Sequence, residues 1–365
     1  MKMANRKVLV IGTADEGSLP ESYARAFERL GMDVVRYDFV RAIRNAGRFA
    51  GNRVLRRALR SRLWNIVNRE TVEVTRSVRP ALIFGVKCTY LHPETVRQIR
   101  KSTGVPFVNH YPDHPYIGIP WDPREASVQR RDLIEVFRQY DVVFMWERSL
   151  MERLRQDGVE AKYLPFAVDP ELFHPQSVDE GLHCDICGRG HDVVFVGTRT
   201  RSRQCEIDGV MRHETAIWGN GWTKSRSGRS RQIVHDPVYG IAVARIYGAA
   251  AVSLNVLNVE NLGGPNMRTF EIPGSSGVML ARYSDAQSQF FPENEAAAYY
   301  RSPAELDGKI DWLLGDPALR QRLRNNAARL AASQTYDHRA AEVLQHVGLA
   351  SDLNAALPNA RTPRR

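Results

Sequence analysis

The sequence predicts an α/β protein made of two Rossmann-like domains in tandem. Short apolar runs recur along it, each followed by a stretch of helical spacing and then another apolar run. That is the pattern of parallel strands joined by crossover helices. The series lapses near residue 165 and restarts near residue 190. At 365 residues, the chain is also longer than a single hydrophobic core usually serves.

In order, Val8–Gly12 reads as a buried strand, and Thr13 to Pro20 is a loop of small and acidic residues. Tyr23, Ala24, Phe27 and Leu30 then share one helix face, Gly31 stops the helix and Val34-Val35 opens the second strand. Ala81–Gly85, Val105–Asn109 and Asp141–Phe144 supply three more strands. Between the last two lies HYPDHPYIGIP, a proline-rich loop at a strand's carboxyl end. Tyr163 to Pro170 reads as a crossing between domains. The second series runs Val193–Gly197, Thr215–Gly219, Val252–Val256 and Gly277–Leu280. The expected domains are residues 1–168, completed by a terminal helix at 335–350, and residues 169–334, with a disordered basic tail at 351–365. Two such sheets place a ligand outside the carboxyl ends of their strands, in a cleft between facing domains.

Hydrophobic residues at 43% and charged residues at 25% fit a globular chain and argue against disorder. No apolar run is long enough to span a bilayer. The opening MKMANRKVLVIG has too short an apolar run for a signal peptide. Four cysteines make no disulfide framework, which points to the reducing cytoplasm.

The net charge of +10 is local. Nine arginines fall between Arg41 and Arg69 with no acid until Glu70, and three more end the chain (Arg361, Arg364, Arg365). Val54, Leu55, Leu59, Leu63, Trp64 and Val67 recur through that stretch at helical spacing. It reads as a solvated basic face, or as a surface drawn to an anionic membrane from the cytoplasmic side or to a phosphorylated, lipid-linked acceptor. Nucleic acid fits less well, because only Phe49 and Trp64 interleave with the arginines.

The stretch Asn255 to Glu271 carries the most chemistry. A strand ends, Gly263 and Gly264 follow, Pro265 occupies a helix N1 position and Arg268 and Glu271 lie one turn apart. Free amides and an arginine at a helix start suit a diphosphate, and a carboxylate one turn on can accept a ribose diol. The alternative is a capped helix with a surface ion pair.

The strings RTFEIPGSSGVML, VYGIAVARIYGAAAVSLNV, VVFVGT and LLGDPALRQRLRNNAARLAASQTYDHR, with the crossing YLPFAVDPELFHP, resemble spore-maturation (CgeB-type) glycosyltransferases. These belong to the wider group-1 glycosyltransferases of the GT-B fold, and the resemblance covers about residues 80 to 345. It implies a metal-independent, retaining transferase whose C-terminal domain binds a nucleotide-sugar. It places Glu271 on the ribose, and Gly264, Asn266 and Arg268 near the diphosphate. Gly197 with Arg203 matches the family's glycine and later arginine, and Pro237 to Tyr239 resembles its base-contacting segment. Many relatives carry a glutamate eight positions before the second one, where this chain has Gly263.

His110, Asp113 and His114 lie in the post-strand loop, and His110 or Asp113 can orient an acceptor hydroxyl or take its proton. Relatives place an aspartate near Asp113. His183, Cys184, Cys187 and His191 are spaced too tightly for a usual zinc site and read as a linker loop. No Asp-x-Asp occurs. Asp38, without a dinucleotide glycine fingerprint before it, is a weak ribose-binding candidate. The competing functions are a GT-B-fold nucleotide-sugar epimerase and a basic nucleic-acid binder.

Overall fold

A computed structural model describes residues 5–46, 60–117, 132–175, 191–222, 231–258 and 263–350. The chain forms two compact units, Met1–Pro165 with Asp337–Arg365, and Phe166–Tyr336.

The first unit is a six-stranded parallel sheet in the order β2-β1-β3-β4-β5-β6. Its strands are β1 (Lys7–Gly12), β2 (Asp33–Asp38), β3 (Leu82–Val86), β4 (Phe107–Tyr111), β5 (Val142–Met145) and β6 (Ala161–Tyr163). Helices α1 (Leu19–Arg29), α2 (Phe39–Ala46), α3 (Arg60–Val78), α4 (Pro93–Thr103) and α5 (Leu150–Gln156) connect them. Every residue of β3, β4 and β5 is buried. A parallel sheet covered on both faces buries its central strands along their whole length, which favours apolar runs such as those of β3 and β5. On one face Leu9, Ile11, Ile83, Phe107 and Met145 share a core. On the other, Tyr23 and Phe27 of α1 meet Phe84 at ring distances of 4.6 and 5.3 Å. The edge strand β2 is half-buried, and its Arg36 bonds Glu21 and Glu28 of α1.

The second unit repeats the plan in the order β12-β11-β10-β7-β8-β9. Its strands are β7 (Val193–Val196), β8 (Glu214–Trp218), β9 (Arg231–His235), β10 (Val252–Asn255), β11 (Met279–Arg282) and β12 (Ala298–Tyr300). Its helices are α6 (Arg201–Ile207), α7 (Ile241–Ala249), α8 (Arg268–Gly274), α9 (Asp285–Phe290), α10 (Leu306–Gly315) and α11 (Pro317–Ala331). The last helix, α12 (Tyr336–His346), ends the described chain apart from a short turn. Three strands lack a sequence signal. The edge strand β9 is polar and partly exposed, and β6 and β12 are three residues each.

Candidate active site

The second unit's site starts where β7 and β8 end. A Cβ on Gly219 would lie 2.1 Å from the Gly197 carbonyl oxygen, and one on Gly197 would lie 2.5 Å from Nη2 of Arg268. Glycine at both positions lets two backbones and a guanidinium meet. The Trp222 indole fixes this corner by donating to the Gly197 carbonyl at 2.7 Å.

Arg268, the first residue of α8, donates from Nε to the Val196 carbonyl at 2.6 Å, with its Cζ 5.4 Å from the Phe195 ring centroid. Its two terminal nitrogens have no partner among the described residues. One turn on, the partly exposed Glu271 carboxylate accepts no hydrogen bond from the described residues. Burial raises its pKa to about 7, and the Arg268 charge pulls the other way. An open guanidinium and an open carboxylate one turn apart can take a phosphate and a diol.

The helix start differs from expectation. α8 begins at Arg268, not at Pro265. The Asn266 amide oxygen accepts from Thr269 N at 3.0 Å, and the Thr269 hydroxyl accepts from Asn266 N at 3.2 Å. This reciprocal pair works as a capping box. Phe270 N and Glu271 N bond the Met267 carbonyl. Only Met267 N and Arg268 N lack partners among the described residues of this turn, so fewer amides are open than expected. The Asn266 side chain is also corrected from a ligand contact to a structural one. It is 7% exposed, and its Nδ2 donates to Asn255 at 2.8 Å. Asn255 and Thr269 both donate to Gln287 Oε1, at 2.9 and 2.8 Å. Gly264 is buried beside Pro265.

Arg203 is buried and donates to the carbonyls of Thr198 (2.9 Å) and Val256 (3.4 Å), its Cζ 6.0 Å from the Phe195 ring. It braces the loops around the site and brings a second positive charge to them. Pro237 is exposed, and Tyr239 is 60% exposed while its hydroxyl takes a hydrogen bond from Asn220 Nδ2 at 3.0 Å. Trp218 and Trp222 are core residues.

In the first unit, His110 needs correction. It belongs to β4, is fully buried, packs edge-on to Tyr23 at 5.4 Å and is held neutral by burial, with a pKa lowered to about 3. A sealed core imidazole cannot reach an acceptor hydroxyl. Asp113 is accessible and pairs with Lys87 at 2.5 Å. His114 Nδ1 accepts from the amides of Tyr116 and Ile117 at 3.1 Å. Asp38 caps α2 by accepting from Val40 N and Arg41 N, so its carboxylate has a structural use.

Of the Cys-x-x-Cys string, only His191 is described. Its ring lies 5.4 Å from that of His235. Among the described residues no three His, Cys, Asp or Glu side chains come together as metal ligands. None of the described helices is long and apolar enough to cross a membrane. Lys87, Asn255, Gln287 and Tyr247 were missed, because no local pattern of residue types marks any of them.

Residues 202–345 match the family model described as Glycosyl transferase-like. Solved structures align over almost the whole chain. A sucrose-phosphate synthase from Thermosynechococcus elongatus aligns at TM-score 0.69 and 13% identity, covering 96% of this chain and 100% of that one. A glycosyltransferase from Rickettsia africae gives 0.65 and 10%, covering 96% and 100%. Anabaena HepE in complex with UDP-glucose gives 0.63 and 12%, covering 93% and 99%. The fold is GT-B. Residues 202–345, which take in most of the second unit, are similar to the glycosyl transferase-like family, and the two parallel sheets are similar to those of the aligned structures. No curated protein sequence matches the chain.

Proposed function

We propose that this GT-B protein is a glycosyltransferase that takes its sugar from a nucleotide-sugar held by the second unit and passes it, with retention and without a metal, to an acceptor hydroxyl. The observation that carries the reading is the pair Arg268 and Glu271, one turn apart and both open, with Arg268 set against Gly197. Glu271 would accept the ribose diol, and Arg268, with the amides of Met267 and Arg268, would take the diphosphate. Tyr239, with Pro237, would offer its exposed ring to the base. As the bond from the anomeric carbon to the phosphate oxygen breaks, negative charge grows on the diphosphate, and Arg268 is placed to stabilise it, with Arg203 behind. In the first unit, Asp113 is the accessible group that would orient the acceptor hydroxyl or receive its proton. The CgeB-type subgroup and retention rest on the sequence resemblance. The arginines from Arg41 to Arg69, four of which (Arg48, Arg53, Arg56 and Arg57) lie outside the described residues, would draw the protein toward an anionic membrane or phosphorylated acceptor.

Incubation with UDP-, GDP- and TDP-sugars and candidate acceptors tests the reading, with and without EDTA. Transfer that survives EDTA is the expected result, and loss of transfer restored by a divalent metal would overturn the metal-free version. A putative UDP-N-acetylglucosamine 2-epimerase from Listeria monocytogenes also aligns, at TM-score 0.55 and 11% identity, over 94% of this chain and 97% of its own. Donor alone is therefore the control: conversion to a sugar isomer would assign the chain to epimerisation.

A further inference from the structure

The start of α8 is held from within the second unit by four polar side chains. Asn255 is the last residue of β10, Asn266 and Thr269 lie on either side of Arg268, and Gln287 belongs to α9. Asn255, Thr269 and Gln287 are fully buried, and Asn266 nearly so. The Thr269 hydroxyl is the hub. It donates to Gln287 Oε1, and it accepts from Asn255 Nδ2 at 3.1 Å and from Asn266 N. Gln287 is anchored in its turn. Its Nε2 donates to the carbonyl of Arg282, the last residue of β11, at 2.8 Å, and its backbone N–H donates to the Ser284 hydroxyl at 3.2 Å. Every polar atom of the four side chains has a partner.

Apolar side chains would fill this space with no amide taken from water. What a fully bonded polar set adds is one fixed arrangement, and α8 needs it. This helix has seven residues and contains Pro273, which has no N–H to donate. A helix so short does not hold itself. Successive helical residues are turned by about 100°. Thr269 is buried while Arg268 and Glu271 are partly exposed, so the bonds at Thr269 set the roll of α8, and the roll sets both open groups. A roll of about 10° moves a group about 6 Å from the axis by about 1 Å. A misplacement of about 1 Å can cost on the order of 100-fold in a site. Arg268 has its own tether to the Val196 carbonyl. Glu271 accepts no hydrogen bond from the described residues, so its carboxylate goes where the helix carries it.

We infer that Gln287 is a positioning residue of the donor site: through the Thr269 hydroxyl it fixes the roll of α8, and with it the places of Arg268 and Glu271. This rests on the proposed nucleotide-sugar reading. Gln287 is sealed in the core and acts only through its partners.

The test titrates wild type, Gln287→Met, Thr269→Val and Thr269→Ser with UDP, GDP, TDP and ADP, at a temperature where circular dichroism shows the protein folded. Met and Val keep the volume and delete the hydrogen bonds, whereas Ser keeps the hydroxyl. Gln287→Met and Thr269→Val should bind the preferred diphosphate about tenfold more weakly. Thr269→Ser should bind it as wild type does, although the loss of a buried methyl lowers its melting temperature. Stability and affinity are thereby separated. Wild-type affinity in folded Gln287→Met and Thr269→Val would reduce the network to core packing and overturn the inference. Failure of both to fold would overturn it as well, because the fold itself would then require the network. Weakening in Thr269→Ser equal to that in Thr269→Val would assign the effect to packing and have the same consequence. Wild type binding none of the four diphosphates would overturn both the positioning role and the nucleotide reading beneath it.

Discussion

The two units carry sheets of equal size and the same parallel sense, but they finish their strand ends differently. In the first unit Asp38 caps a helix, Lys87 pairs with Asp113, His114 takes two amides and His110 is sealed in the core. In the second, Arg268 has two open nitrogens, and Glu271 and Tyr247 lack hydrogen-bond partners among the described residues. A folded chain satisfies its polar groups by default. A set left open in one place therefore marks where a ligand completes the bonding. On the proposed reading, the donor is expected where the groups are open.

Arg268→Ala should break that contrast most. It removes the open charge from the point where transition-state charge grows, so kcat should fall about 10²–10³-fold while the sheet of the second unit stays folded. Steady-state kinetics with circular dichroism measures both. Loss of donor binding with unchanged kcat would make Arg268 a ground-state contact only. The first unit offers the matching test in Asp113→Asn, which should lower turnover about 100-fold and leave donor affinity unaltered. An Asp113→Asn enzyme of full activity would reduce this carboxylate to the surface partner of Lys87, and the acceptor side would have to be sought elsewhere.

Most of the strands that sequence reading found are buried on both faces, such as Leu82–Val86 and Val193–Val196, because burial forces an unbroken apolar run. The half-buried edge strand β2 was read from Val34-Val35 behind the glycine that stops α1. β9 was missed because an edge strand needs apolar residues on one side only. In the site, the Arg268–Glu271 spacing was legible, since three residues make one helical turn. The role of Asn266 was not. Its partners Asn255 and Gln287 lie eleven residues before and twenty-one after it, and no local pattern announces such a network. His110 misled for a related reason. A histidine after an apolar run looks like a loop residue until the strand is seen to include it.

The next contrast concerns pH. Glu271 titrates near 7 in the folded chain, and only the ionised form accepts two ribose hydroxyls. Affinity for a nucleotide-sugar should thus weaken about tenfold between roughly pH 8 and pH 6, and Glu271→Gln should flatten that dependence. A nucleotide-sugar is the right probe because its esterified phosphates, unlike those of a free diphosphate, lack a second ionisation near neutrality. A wild-type affinity independent of pH would remove Glu271 from the ribose.

The smallest effect is on stability, and its sign differs between a paired and an unpaired carboxylate. In the first unit, Glu28 bonds Arg36, which lowers its pKa below the ordinary 4.5. The folded state then holds its proton less tightly than the unfolded state, so the pair stabilises above about pH 4.5 and the benefit is lost in acid. Solvent screening of this exposed pair keeps the contribution under about 1 kcal/mol. Glu271 is the reverse case, raised from 4.5 to about 7 by burial. The folded state binds its proton more tightly, so stability falls as pH rises from about 4.5 to about 7 and is level above. Without ligand, Glu271→Gln should therefore melt on the order of 2 °C above wild type at pH 8, and the gap should close near pH 4.5. Glu28→Gln should melt below wild type at pH 8, again with the gap closing in acid. Melting curves at the two pH values read both signs at once. If Glu271→Gln were destabilised at pH 8, the carboxylate would have a partner in the folded protein, and the open site would no longer distinguish the second unit from the first.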